Sequence, residues 1–177
     1  MLDWRVNQTG SQVAIIGLGN AYPLAEQTAA ALSDDYGITA TVIDPRQCTS
    51  LDSDVLESLR DGHQQVITLE DGQLEGGWGE KVTAYYANHH VSDGSRNPRV
   101  LNFGAAKEFT DRVSLGELNE RYGLTVEQVT EAITRCFLMA SRAGILTALL
   151  AGPKPNSKPI SVENSTANRN SHHGITE

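Results

Sequence analysis

The sequence predicts a three-layer α/β/α domain built around a parallel sheet, on three observations. The run Val13-Ala-Ile-Ile-Gly-Leu-Gly19 is near-continuously apolar, as a strand covered by helices on both faces should be. Each such run is followed by apolar residues at three- and four-residue steps, and glycines close those helical segments. The alternation persists along the chain, and right-handed crossovers convert it into a parallel sheet with helices on both sides.

In order, Trp4-Arg5-Val6 reads as a short opening strand ended by Gly10 and Ser11, and Val13 to Gly19 as the next. Asn20 is expected to cap a helix whose first turn holds Pro23, which buries Leu24, Thr28, Ala31 and Leu32 and which Gly37 closes. Gly17-x-Gly19 suggests a dinucleotide fingerprint, but the third glycine position is Tyr22, so that reading fails. Thr39 to Asp44 is the following strand. A helix starts from Asp52 as N-cap, with Leu51 and Leu56 placed as a hydrophobic staple; it turns Val55, Leu56 and Leu59 inward and stops at Gly62.

The stretch Val66 to Val82 organises the rest. A β-branched strand ends in Glu70 and Asp71, glycines 76, 77 and 79 follow, and a helical pattern then carries Val82, Tyr85 and Tyr86. An acid-ended strand feeding a glycine-built helix start is how an open α/β sheet forms a crevice at its carboxyl edge. The N–H groups at that helix start would attract an anion or pair with a carboxylate; alternatively, Gly-Gly-x-Gly merely packs the helix close to the sheet. Glu70 is expected to satisfy nearby backbone N–H groups while Asp71 faces water or a partner. Asp44 and Arg46, at another strand end, pair with each other or dock a neighbouring domain.

Arg99 to Phe103 is a further strand, behind Pro98. Two capping boxes follow: Ser114-x-x-Glu117 opens a short helix ended by Gly123, and Thr125-x-x-Gln128 opens a long one. Val126, Val129, Ile133, Cys136, Phe137 and Ala140 give the long helix one core face. From Gly152 onward Pro, Asn, Ser and Lys dominate. The folded domain is therefore expected over residues 1–150 and a disordered polar tail over 151–177.

The totals narrow the partners. Twenty-two acidic and 14 basic residues leave a net charge of −8 with no basic block, which argues against nucleic acid or an anionic membrane. No charged-then-apolar leader opens the chain, and no apolar run approaches the roughly 20 residues of a membrane span, so a cytoplasmic protein is expected. Cys48 and Cys136 lack metal-type spacing and read as reduced core residues. Neither Ser53 nor Ser114 sits in a nucleophile elbow, and no phosphate loop occurs. His63, His89, His90, His172 and His173 have no carboxylate or cysteine at ligand spacing, so no metal site is expected. Glu70 and Asp71 point to opposite sides of an extended chain and make a poor general acid/base pair.

Taken together, these residues resemble the C-terminal domain of the transketolase family, and within it the bacterial 1-deoxy-D-xylulose 5-phosphate synthase branch. The family's Phe-Gly strand end is matched by Ile16-Gly17-Leu18-Gly19, and its Val-Asp-x-Arg strand end by Val42-Ile43-Asp44-Pro45-Arg46. Its Pro-Leu-Asp helix start is matched by Ser50-Leu51-Asp52. Its Val-Thr-x-Glu-Glu end with a Gly-Gly-x-Gly turn is matched by Ile67-Thr68-Leu69-Glu70-Asp71 and Gly76-Gly77-Trp78-Gly79. Val100-Leu101-Asn102-Phe103-Gly104 and Gly123-Leu124 complete a match spanning about Gln12 to Thr134. Thr49 stands where the family has Lys, and Ala105-Ala106-Lys107-Glu108 rewrites a loop.

The resemblance implies a five-stranded, mostly parallel sheet whose first strand, Trp4 to Asn7, is antiparallel to the rest. It implies that thiamine diphosphate and Mg²⁺ are held by two other domains, and that the complete enzyme is a homodimer. This chain has no Gly-Asp-Gly followed by paired Asn, so no catalytic, cofactor-binding or metal residue is assigned in it. Two main readings follow. One is a C-terminal domain or split subunit of the synthase, inactive alone and serving packing and dimer assembly, with Asp44, Arg46, Glu70, Asp71, Gly76, Gly77 and Gly79 lining its crevice or interface. The other is a free-standing module that binds a small anion there.

Overall fold

The computed structural model describes residues 3–89 and 96–141. The expectations for His90, the side chain of Ala140, and the tail 151–177 with His172 and His173 lie outside the described residues. The elements run β1 (Arg5–Gln8), β2 (Gln12–Gly17), α1 (Tyr22–Tyr36), β3 (Thr41–Asp44) and α2 (Ser53–Ser58). They continue as β4 (His63–Gln73), α3 (Trp78–Asn88), β5 (Arg99–Ala105), α4 (Leu115–Tyr122) and α5 (Val126–Ser141).

The strands form one sheet in the order β1-β3-β2-β4-β5. β1 pairs antiparallel with β3, and all other pairs are parallel. This is the mixed sheet the resemblance implied. Successive side chains of a strand point to opposite faces, and the central strand shows why both must be covered. Val13 and Ile15 of β2 pack with Ala25, Ala29 and Leu32 of α1 and Val129 and Ile133 of α5. Ala14 and Ile16 pack on the opposite face with Leu56 of α2 and Trp78, Val82 and Tyr86 of α3. All four β2 residues are fully buried, which explains the unbroken apolar run.

Several expectations need correction. α1 buries Ala25, Thr28, Ala29 and Leu32, whereas Leu24 and Ala31 are only partly buried. Asn20 does not cap α1: a single 3₁₀ turn, Gly19–Ala21, leads into the helix, and Ala21 takes the cap position without a side-chain bond. Gly17 lets that helix approach, since a Cβ there would lie 2.7 Å from Tyr22 Cα. Asp52 caps α2 as expected, accepting the Val55 N–H at 3.2 Å. Val55, however, is only half-buried beside Leu56 and Leu59, and α2 ends at Ser58, short of Gly62. Cys136 is buried but Cys48 is exposed, so only the first behaves as a core residue. Ser114 and Thr125 both act as N-caps, with Glu117 N–H donating to Ser114 Oγ and Gln128 N–H to Thr125 Oγ1, each at 3.3 Å.

Candidate functional site

The sheet order reverses at β2, whose chain continues first to β3 on one side and later to β4 on the other. The crevice outside the carboxyl ends of β2 and β4 is therefore the topological switch point, the usual place for a site in an open α/β sheet. Gly19 and Asn20 lie on one lip and Glu70 and Asp71 on the other. Asn20 Nδ2 donates to Asp71 Oδ2 at 2.9 Å and bridges them. Sequence alone did not show this bond, because its ends are 51 residues apart.

β4 does not stop at the acids. It continues through them to Gln73, with an irregular register against β5 between Leu69 and Gln73. Within that irregularity Glu70 turns inward and is 4% exposed, whereas Asp71 is exposed, the division expected of adjacent residues on an extended chain. The Glu70 carboxylate then meets the start of α3. Its Oε2 accepts the Trp78 N–H at 3.0 Å and its Oε1 accepts the Gly79 N–H at 2.8 Å. The neighbouring donors are also occupied: Gly77 N–H donates to Leu74 O at 3.0 Å, and Gly76 N–H to Glu80 Oε2 at 2.9 Å.

The glycines make this approach possible. A Cβ on Gly77 would lie 2.2 Å from Gln73 O and 2.6 Å from Glu70 Oε1, and one on Gly79 would lie 2.4 Å from Thr68 Oγ1. Gly77 has an ordinary extended backbone (φ −73°, ψ 178°), so close contact alone requires glycine there. Gly76 differs: its φ of +73° is left-handed, and a Cβ there would meet nothing within 4 Å.

Two carboxylate hydrogen bonds in a buried setting stabilise this junction by about 1.5–3 kcal/mol each, and the helix dipole favours a negative charge at the same point. The anion expected at the helix start is thus the chain's own side chain. A groove of about 590 Å³ continues from it, lined by Asn20, Leu24, Glu70, Asp71, Leu115 and Glu120 among others. Its lining includes three carboxylates and no lysine or arginine. A small free anion would be repelled there, which counts against the anion-binding module.

Asp44 and Arg46 lie at the end of β3 and line a separate groove, of about 630 Å³, with Leu18, Tyr22 and Cys48. The bond between them runs from the Arg46 backbone N–H to Asp44 Oδ1 at 2.8 Å and accompanies a left-handed Arg46 (φ 59°), so the side chains do not form the expected ion pair. The structure therefore joins Glu70, Asp71 and the glycine turn in one place and leaves Asp44 and Arg46 in another.

His63 is half-buried at the start of β4. Its Nδ1 lies 3.2 Å from Leu59 O and its Nε2 lies 2.8 Å from Thr41 Oγ1, which itself accepts the Gly10 N–H. Nδ1 must donate to the carbonyl, leaving Nε2 to accept from Thr41. Burial holds the imidazole pKa below its ordinary value, outweighing the Leu59 carbonyl, which acts the other way. His89 closes α3 and stacks on Tyr85, ring centroids 4.2 Å apart. Among the described residues no three His, Cys, Asp or Glu side chains gather as a metal site. None of the described helices is long and apolar enough to cross a membrane.

A mixed five-stranded sheet with an antiparallel edge strand and helices on both faces is the fold that the resemblance to a transketolase-type C-terminal domain implies. The model of the transketolase C-terminal domain family matches residues 2–129, and the chain belongs to that family. Among its curated relatives is the 1-deoxy-D-xylulose-5-phosphate synthase of Symbiobacterium thermophilum, 39% identical over 128 residues, covering 71% of this chain and 18% of that protein. The synthase of Carboxydothermus hydrogenoformans is 34% identical over 120 residues, covering 68% of this chain and 18% of that one. The chain thus spans under a fifth of the length of these two relatives.

Among solved structures, a split-gene transketolase described as an inactive β4 tetramer superposes with a TM-score of 0.66 at 25% identity, over 76% of this chain and 42% of that one. A Pichia stipitis transketolase superposes with a TM-score of 0.53 at 19% identity, over 77% of this chain and 18% of that one, and shares the fold.

Proposed function

We propose that this chain is the C-terminal domain, or a split subunit, of a thiamine diphosphate-dependent 1-deoxy-D-xylulose 5-phosphate synthase. The complete enzyme decarboxylates pyruvate and joins the two-carbon fragment to glyceraldehyde 3-phosphate, towards isoprenoid precursors. In this reading the chain contributes packing and dimer assembly, works in the cytoplasm, and turns nothing over by itself. Its partners are the catalytic domains, or the subunit that carries them, and not nucleic acid or membrane.

The observation that carries the reading is the Glu70 cap. The amides that could receive a phosphate are already held by a buried carboxylate, so the rim is built for holding the domain together. Similarity to the synthases supports the choice of enzyme. The donor set also fails to fit thiamine diphosphate: the groove lining offers no cation for the diphosphate, and among the described residues no three His, Cys, Asp or Glu side chains gather to hold the Mg²⁺ that would bridge it to carboxylates. This supports placing the cofactor, with its Mg²⁺, in the other domains.

The test is turnover. The purified chain, given pyruvate, glyceraldehyde 3-phosphate, thiamine diphosphate and Mg²⁺, should form no product. Added to a polypeptide carrying the thiamine-binding domains, it should form a stable complex and support synthesis. Product from the chain alone would overturn the reading.

A further inference from the structure

We propose that α4 and the acidic groove beside it form the surface that docks the catalytic remainder of the enzyme, through a segment that sets an arginine or lysine beside an apolar side chain. This rests on the reading that the chain is part of a larger synthase, and it assigns that assembly to a particular place.

The first observation is apolar exposure. α4 buries none of its side chains, Leu115 at its start is 74% exposed, and Phe109 in the preceding loop is fully exposed. Of the four large hydrophobic side chains left exposed among the described residues, two fall on this helix and the loop before it, a local concentration of apolar surface that a partner could cover. Polar contacts hold the helix in place. Glu108 accepts from Arg121 at 2.7 Å and from Tyr122 at 2.8 Å, fixing the Phe109 loop to the last turn of α4. Gln128 Nε2 donates to Glu120 O at 2.9 Å and fixes α4 to α5. The helix is thus positioned before any partner arrives, which lowers the ordering cost of binding.

The second observation is charge. Leu115 also lines the groove that contains Asp71 and Glu120, both exposed, and no base. The occupant must therefore bring positive charge together with an apolar anchor. A second copy of this chain is a poor candidate, because at a net charge of −8 it has no basic block to offer.

The experiment uses the full chain and, as partner, the Symbiobacterium thermophilum synthase from which the 128-residue aligned segment has been deleted. Binding is followed by interferometry and by hydrogen exchange. The double variant Phe109→Ser/Leu115→Asp should bind about tenfold or more weakly, as interface anchors do. Glu120→Lys should weaken binding and reduce its salt dependence. All of these variants should melt close to the parent chain, because the altered side chains are exposed. Exchange should slow on complex formation at residues 107–124. If the parent chain binds and the variants bind equally well, or protection falls elsewhere, this surface is refuted while the larger reading stands. If the parent chain does not bind the partner at all, both fall.

Discussion

Glu70 and Gly79 meet across nine residues of chain, with the Gly79 N–H 2.8 Å from Glu70 Oε1, so a strand side chain supplies the capping anion for the helix that follows it. The same carboxylate holds Trp78. Replacing it by Glu70→Gln keeps one acceptor but turns an NH₂ group towards a backbone donor. We expect urea unfolding to show a loss of about 1.5–3 kcal/mol, since a buried donor is left unpaired and a charge-assisted bond is lost. An unchanged midpoint would show that the cap contributes nothing.

Glu70→Ala removes the anion and leaves two amides facing a cavity at a helix start. Acetate or formate should then raise the melting temperature of the variant and leave the native chain unaffected, because the small carboxylate replaces the missing side chain only where a vacancy exists. An equal rise in both proteins would indicate non-specific stabilisation.

The adjacent glycines separate contact from backbone conformation. Gly77→Ala drives a methyl group into Gln73 O and Glu70 Oε1 and should cost about 3 kcal/mol or more. Gly76→Ala meets no atom within 4 Å but needs a left-handed residue, so it should cost about 1–2 kcal/mol. Chemical denaturation of the two variants side by side reads the difference, and the reverse order would refute the packing seen here.

His63 makes stability depend on pH. Burial lowers its folded pKa below the ordinary 6.5, so folded and unfolded chains bind this proton equally, as neutral rings, well above that value. As pH falls below about 6.5 the unfolded chain takes up the proton first, and stability is lost until the folded pKa is passed. Protonation also forces Nε2–H against Thr41 Oγ1 and ends the bond donated by that hydroxyl. Melting curves between pH 8 and pH 5, on the order of the window set by the ordinary imidazole value, should fall more steeply for the native chain than for His63→Gln. Parallel curves would remove His63 as the cause.

Much of this architecture was legible because it follows from patterns local in sequence. The unbroken Val13–Ile16 run needs cover on both faces, the caps at Ser114 and Thr125 are read from residues three apart, and the cap at Asp52 from the Leu51 and Leu56 that flank it. Glu70 was legible, together with Asp71, as an acid at a predicted carboxyl edge beside a glycine turn. What escaped depends on tertiary geometry. β4 runs past its acids because pairing with β5 resumes at Gln73, which no run of polar letters announces. Arg46 adopts a left-handed conformation that its side chain disfavours, so the Asp44 contact became a backbone bond. Buried Arg60 was not singled out at all: it pairs with Glu57 and its guanidinium lies 5.2 Å from the centre of the Tyr86 ring, joining α2 to α3 on one face of the sheet.

The central claim is that this domain seals its own rim and leaves cofactor chemistry to other parts of the enzyme. Calorimetric titration of the purified chain with thiamine diphosphate and Mg²⁺ tests it most directly. The account predicts no saturable heat. Tight, stoichiometric binding of the cofactor by the chain alone would contradict it.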